Sequence, residues 1–171
     1  MHGMGNVISI EWERRLSALW ASIDDHTESE FLNQMEQLLA ELPADNAVAV
    51  FERAGSLDST GHSDLAVPLY RQAIKLGLDG ERRRCAVIQM ASSLRNIGQA
   101  SESVALLTAE QGVQSDDLDD AVSAFLALAL VDTGREREAV SLALTALSRH
   151  MTRYRRSLAN YARLISDRPS N

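Results

Sequence analysis

The chain has 171 residues and a formal net charge of −7; Ala and Leu supply 46 residues, Val and Ile only 17, and aromatic residues 8. So few β-branched residues, with no proline between Pro68 and Pro169, exclude a β-sandwich or barrel, and an apolar share of 45 % excludes a disordered chain. The composition therefore predicts one all-α domain over residues 1–171.

Charge, cysteine content and the first residues predict the compartment. A net negative charge disfavours nucleic acid and anionic lipid as partners. Cys85 is the only cysteine, which excludes an intrachain disulfide and suits a reducing compartment. No Lys or Arg precedes Arg14, and no apolar run approaches the length of a membrane span, so neither a signal peptide nor a membrane helix is indicated. We expect a cytoplasmic protein.

The first predicted elements are two helices, over residues 8–23 and 28–42. Thr27 or Ser29 is expected to cap the second helix, and Pro43 follows its end. This hairpin lacks the pattern that the following residues repeat. We therefore interpret residues 1–43 as either a degenerate repeat or an N-terminal helical cap.

A repeat begins after this hairpin. Gly61, Gly98 and Gly134 lie 37 and 36 residues apart, a spacing typical of stacked helical hairpins. Relative to each glycine, a small residue lies seven positions before, a leucine four before, and small or apolar residues five and nine after. These positions are Ala54, Leu57, Ala66 and Tyr70; Ala91, Leu94, Ser103 and Leu107; and Ala127, Leu130, Ala139 and Ala143. The small residues let two helices approach closely and the glycine ends the first helix, so each unit is predicted to be a helix–turn–helix that stacks on its neighbours.

This motif resembles the tetratricopeptide repeat, whose pattern reads W-x2-L-G-x2-Y and then A-x3-F. In the first repeat the matching residues are Ala54-x2-Leu57 and Ala66-x3-Tyr70. Over residues 66–73, 94–98 and 124–130 the chain is similar to the small bacterial subfamily called tetratricopeptide repeat group 5. The resemblance implies an α-α superhelix of about three repeats over residues 44–149, with helical caps at both ends.

An apolar stripe follows the third repeat and predicts a capping helix and tail over residues 150–171. The stripe consists of Met151, Tyr154, Leu158, Tyr161 and Ile165. A basic stripe is expected on the opposite face of the same helix, formed by Arg149, Arg153, Arg156 and Arg163. This basic stripe is interpreted as a solvated face, or as a surface that docks an acidic partner or the acidic N-terminal half of another molecule.

The resemblance also implies where a ligand lies, because the first helices of such repeats line the concave face. The candidate partner-binding residues carried over from those inward positions are Phe51, Asp58, Ile88, Ser92, Arg95, Asn96, Leu128 and Asp132. Phe51 and Gly55 stand where chaperone-binding relatives need Lys and Asn, so that ligand is not expected. An extended or helical apolar segment oriented by Arg95 fits better, unless Arg95 is paired with Asp58 or Asp132.

The sequence offers no local motif for catalysis, a metal or a cofactor. Its histidines lie far apart, and the acidic run 116–120 lacks the Gly and Glu of a calcium loop. That run is interpreted as the first turn of a helix capped by Ser115. Cys85 has no histidine nearby and is interpreted as a plain small side chain. We expect no cofactor, no bound metal and no enzymatic activity.

Two charged features leave alternatives open. Arg82 to Arg84 open a helix, where positive charge opposes the helix dipole, so Asp79, Glu81 or an acidic neighbour compensates them, or they form an anion-binding edge. Residues 1–60 carry a net charge of −8 and residues 135–171 a net charge of +5.

The leading hypothesis is a non-catalytic module that binds a protein or peptide segment in its concave groove. The alternative is a scaffold that self-associates, for example as a homodimer, through its charge-polarised ends.

Overall fold

The computed structural model describes residues 8–113 and 116–167, and within those ranges the chain is all-helical. Its helices are α1 (Ile10–Ala21), α2 (Glu28–Leu39), α3 (Ala47–Ser59), α4 (Ser63–Lys75), α5 (Gly80–Asn96), α6 (Ala100–Gln111), α7 (Asp119–Asp132), α8 (Glu136–His150) and α9 (Arg155–Ser166). Each helix packs mainly on its neighbours in sequence order. The prediction of an all-α helical-repeat solenoid is confirmed.

The same turn joins the two helices of each repeat. Gly61, Gly98 and Gly134 have φ values of 92°, 81° and 74°, the left-handed region that glycine adopts without a steric penalty. The backbone N–H of the residue after each glycine donates to the carbonyl of the leucine that lies four residues before that glycine. These bonds are His62 N to Leu57 O (2.8 Å), Gln99 N to Leu94 O (2.8 Å) and Arg135 N to Leu130 O (2.9 Å). The repeated glycine therefore marks a repeated helix end, as its spacing predicted.

The small residues of the repeat lie where two helices meet. Ala54 and Ala91 are completely buried, and Ser103 is buried at the equivalent of Ala66. The third repeat differs at its last position, because Ala143 is exposed whereas Tyr70 and Leu107 are fully buried. In α8 the buried polar residues are Ser141 and Ser148, and the Ser141 hydroxyl lies 3.5 Å from Ser166 Oγ of α9.

The arrangement of the helices gives the solenoid its curvature. The first helices of successive repeats, α3, α5 and α7, contact one another directly. In the described part of the chain no comparable contact joins α4 to α6 or α6 to α8. The first helices therefore lie on the inner side of the curve and the second helices on the outer side.

The N-terminal hairpin packs on the first repeat through α2 and α3. Thr27, not Ser29, caps α2: its hydroxyl accepts from Glu30 N, and the Glu30 carboxylate accepts from Thr27 N. The Trp12 indole donates to Leu38 O (3.1 Å) and closes a buried cluster shared with α3. Helix α2 ends at Leu39, earlier than the predicted residue 42.

The C-terminal residues correct the sequence analysis. Helix α8 ends at His150 and α9 begins at Arg155, with Tyr154 between them in a left-handed conformation (φ 63°). The predicted apolar stripe is therefore wrong as a single face, since Tyr154 and Tyr161 are exposed while Ala162 is the buried residue of α9. Because the chain turns between the two helices, one helical periodicity cannot run through both of them.

The basic stripe is corrected for the same reason. Arg149 belongs to α8, where it pairs with Asp120 of α7 (2.6 Å), whereas Arg156 and Arg163 belong to α9. Arg153 lies in the turn between these helices. The four arginines therefore do not share one helix face.

Candidate partner-binding groove

The inner side of the solenoid contains an open cleft where α1, α3 and α5 meet the α4–α5 turn. We call this the α3–α5 cleft; its volume is about 750 Å³, and Trp20, Phe51 and Tyr70 lie along its walls. The two candidate residues of α3, Phe51 and Asp58, line it together with Val48, Gly55 and Ser59 of the same helix. A cleft of this size is large enough for side chains of a bound segment.

Trp20 enters the cleft from α1, outside the residues that the repeat pattern covers. Its ring lies over Gly55, where an added Cβ would sit 3.4 Å from the indole Cζ2 atom. On its other side Trp20 packs against Phe31, with ring centroids 5.3 Å apart. Sequence reasoning missed Trp20, although a glycine inside a helix, at Gly55, is a signal that another group approaches the backbone closely.

A buried carboxylate lies beside this ring. Glu52 is 6 % exposed and its Oε2 accepts a hydrogen bond from Trp20 Nε1 (2.9 Å). Arg82 approaches Glu52 Oε1 at 3.5 Å, but it is held by two shorter bonds to Glu13 (3.0 and 2.6 Å). Burial raises the pKa of Glu52 above its ordinary value, and these two donors only partly offset it.

Two polar atoms in the cleft are buried and have no hydrogen-bond partner among the described residues. They are the Tyr70 hydroxyl and the Gln89 side-chain oxygen. Nearby, Asp58 accepts a hydrogen bond from Ser63 Oγ (2.8 Å). Burial, and then the negative charges of Asp58 and Glu52, raise the pKa of Tyr70, so its hydroxyl stays neutral. Unsatisfied buried polar atoms are rare in folded proteins, and here both belong to residues that line the cleft.

The other candidate residues lie outside this cleft, and one of them, Ile88, is not at the surface. Arg95 pairs with Asp132 across the second and third repeats, which is one of the two ion pairs that the sequence left open. Asn96 Nδ2 lies 3.4 Å from Ser63 Oγ. Ser92 is half-buried, and Ile88 is buried in the core cluster of α5, α6, α7 and α8.

The inner face of α7 is exposed and apolar. Leu128 is 45 % exposed and Val131 is 47 % exposed, and Ala124 is exposed on the same side of the helix. Helix α9 packs on α8 and leaves these side chains uncovered. The inner surface therefore continues from an acidic, aromatic cleft at α3 to an apolar strip at α7.

The arginine run at the start of α5 is compensated by acidic neighbours, not by Asp79 or Glu81. Arg82 binds Glu13, Arg83 binds Glu110 (2.7 Å), and Arg84 binds Asp116 (3.2 Å) and Asp119 (2.7 Å). These pairs join α5 to α1, α6 and the start of α7. The run is thus a structural connection between repeats.

The described ranges contain neither a cluster of metal-ligating side chains nor an activated cysteine. No group of three or more His, Cys, Asp or Glu there is arranged to hold a metal ion. Cys85 lines the α3–α5 cleft, where burial and the negative charge of Glu81 raise its pKa and disfavour the nucleophilic thiolate. Helix α7 begins at Asp119, and the expected cap Ser115 lies outside the described residues.

Comparison with known proteins gives the family. The family model described as Tetratrico peptide repeat matches residues 47–165, more than half of the chain. The chain belongs to the tetratricopeptide repeat family. This membership indicates a protein–protein interaction or scaffold role, and the family is typically non-catalytic. Neither the comparison with curated proteins nor that with solved structures gave a match.

No helix among the described residues has the length and apolar character needed to cross a membrane.

The raised pKa of Glu52 predicts a pH-dependent gain in stability from Glu52→Gln. A carboxyl whose pKa is raised by folding binds its proton more tightly in the folded state, so its ionisation costs stability as the pH rises through the folded pKa. Glutamine can still accept from Trp20 Nε1, and Arg82 keeps Glu13. We expect Glu52→Gln to be about 1 kcal/mol more stable than the wild type at pH 7.

Urea unfolding measured from pH 7 down to about pH 4, below the ordinary pKa of a glutamate carboxyl, tests this expectation. The gain should shrink toward acid pH, where Glu52 of the wild type becomes protonated. Glu136→Gln, at the exposed first turn of α8, is the control and should change stability by less than about 0.5 kcal/mol, with little dependence on pH over this range. A Glu52→Gln protein that is less stable at pH 7 would contradict the assignment.

Proposed function

We propose that this protein is a non-catalytic module that binds a segment of a partner protein along its inner, concave side. The observation that carries this proposal is the uncovered inner surface, which runs from the α3–α5 cleft to the exposed apolar face of α7. Exposed apolar strips beside polar clefts are typical of surfaces that bind other chains. An extended or helical apolar segment fits such a surface without orientation by Arg95, which pairs with Asp132.

Leu128 and Leu65 provide a matched pair for testing the binding side. Both are exposed leucines, 45 % and 51 %, but Leu128 lies on α7 at the inner side and Leu65 on α4 at the outer side. A photo-crosslinking amino acid placed at position 128 is expected to capture a protein partner in native cells, and one at position 65 is not.

The aspartate variants sharpen the comparison. Leu128→Asp should reduce the recovery of the captured partner at least about tenfold, because a charge would be buried in the interface, whereas Leu65→Asp should leave it unchanged. Equal capture at the two positions, or a partner that survives Leu128→Asp, would reject the inner side as the binding surface.

A further inference from the structure

We propose that the α3–α5 cleft receives a cationic side chain, lysine or arginine, from the partner segment that binds along the inner side of the solenoid. This inference rests on the proposed function and specifies the chemistry of the partner. It is carried by the buried unpartnered oxygens of Tyr70 and Gln89, the acidic lining and the aromatic walls of one cleft.

The charge of the lining favours a cation. Four carboxyl groups line the cleft, those of Glu52, Asp58, Asp79 and Glu81, against the single guanidinium of Arg82. That guanidinium is already occupied by Glu13, which lies on α1. The cleft therefore carries an excess of negative charge in a partly desolvated place, where a carboxylate ligand would be repelled and a cation attracted.

Both unpartnered oxygens, those of Tyr70 and Gln89, are able to accept a hydrogen bond. The Gln89 oxygen can only accept a hydrogen bond, and carboxylates likewise only accept. The oxygen of Tyr70, which is completely buried, can also accept. A lysine ammonium or an arginine guanidinium brings several N–H donors and no acceptor, which is the complement of this set.

The aromatic walls of the cleft also favour a lysine or arginine side chain. Trp20 and Phe51 line the cleft, and Phe51 packs with Tyr70 at a centroid distance of 6.2 Å. Aromatic faces attract cations through their ring quadrupoles and also contact the apolar stem of lysine or arginine. A neutral apolar side chain would use the walls but would leave the buried acceptors unsatisfied.

The test uses the full chain and small defined probes, observed by NMR at neutral pH. The probes are N-acetyl-arginine amide and N-acetyl-lysine amide, with the norleucine amide as neutral control and the glutamate amide as anionic control. The reporter is the indole N–H signal of Trp20, which donates to Glu52 inside the cleft. The indole of Trp12 is the internal control, because it is buried against Leu38 elsewhere.

We expect the cationic probes to shift the Trp20 signal in a saturable way and the Trp12 signal not to move. The norleucine amide should bind at least about tenfold more weakly, since it lacks both the charge and the donors. Asp58→Asn and Glu52→Gln should each weaken the cationic probes about tenfold, while Glu136→Gln should not. Two separate variants keep the result interpretable if one of them folds poorly. Equal binding of the norleucine and arginine amides would overturn the inference.

The outcomes also separate this inference from the proposed function. Crosslinking at position 128 without any response of Trp20 to cations would reject the cationic subsite and leave the partner-binding surface intact. A response of Trp20 without crosslinking on the inner side would reject the bound segment as the source of the cation. Light scattering at low salt could instead detect a dimer in which the Trp20 signal no longer responds to the probes. That result would show that a second copy of this chain fills the cleft, and it would reject the proposal that a different protein supplies the cation.

Discussion

Replacing Tyr70 by alanine is expected to lower the free energy of unfolding by about 4 kcal/mol. Tyr70 is completely buried, and its ring packs against Phe51 in the core cluster that joins α3, α4 and α5. Truncation removes a large apolar surface and leaves a cavity that neighbouring helices cannot fill without moving. For a chain of this length the melting temperature should fall by about 10 °C.

Tyr70→Phe separates the contribution of the ring to stability from that of the hydroxyl. The hydroxyl has no hydrogen-bond partner among the described residues, so its removal should change stability by less than about 0.5 kcal/mol. Urea unfolding of both variants checks the pair. A loss of more than about 1.5 kcal/mol in Tyr70→Phe would show that the hydroxyl donates to a carboxylate, with Asp58 the nearby acceptor.

Arg84→Met is expected to lower the free energy of unfolding by about 3 kcal/mol. Arg84 is 3 % exposed and pairs with Asp116 and Asp119, which connects the second repeat to the start of the third. Methionine keeps most of the apolar stem but leaves two carboxylates without this guanidinium. Because those carboxylates keep partial access to solvent, the loss should fall at the lower end of the range for broken buried pairs.

Arg71→Met is the matched control, since it makes the same chemical change in an exposed pair. Arg71 binds Glu102 at 2.6 Å, and about half of each side chain is exposed. This variant should cost less than about 0.5 kcal/mol, and added salt should abolish even that difference. Urea unfolding at low and high salt compares the two. Equal losses would mean that the burial of Arg84 contributes nothing to the connection between repeats.

The repeat architecture could be predicted because it is encoded locally. Gly61, Gly98 and Gly134 each end a helix in a left-handed conformation, and the residues around them use the same hydrogen bonds. A positive φ is cheap for glycine alone, so a recurring glycine at a fixed distance from Ala and Leu specifies the turn from a few neighbouring residues. The prediction of one apolar stripe near the C-terminus was wrong because the helix is interrupted at Tyr154, where the sequence has no glycine or proline to indicate a break.

The cleft was only partly predictable, because its parts come from distant positions. Two candidate residues from the repeat pattern, Phe51 and Asp58, line the cleft, and their role in binding stays a prediction. Trp20 reaches Glu52 across 32 residues, and Arg82 reaches Glu13 across 69. No periodicity in the sequence specifies which of many acidic residues a given arginine or indole will meet. Burial of the Tyr70 and Gln89 oxygens without partners is likewise a property of the packed helices alone.

The sequence by itself determined that this chain is a stack of helical hairpins, because turn chemistry and the spacing of small and apolar residues act over a single repeat. The tertiary structure alone decided that the arginines opening α5 connect repeats, and that Ile88 is buried in the core while Leu128 stays exposed. It also decided that an acidic cleft walled by Trp20 opens on the inner side. These features depend on which helix faces meet after stacking, and that information is distributed over the whole chain.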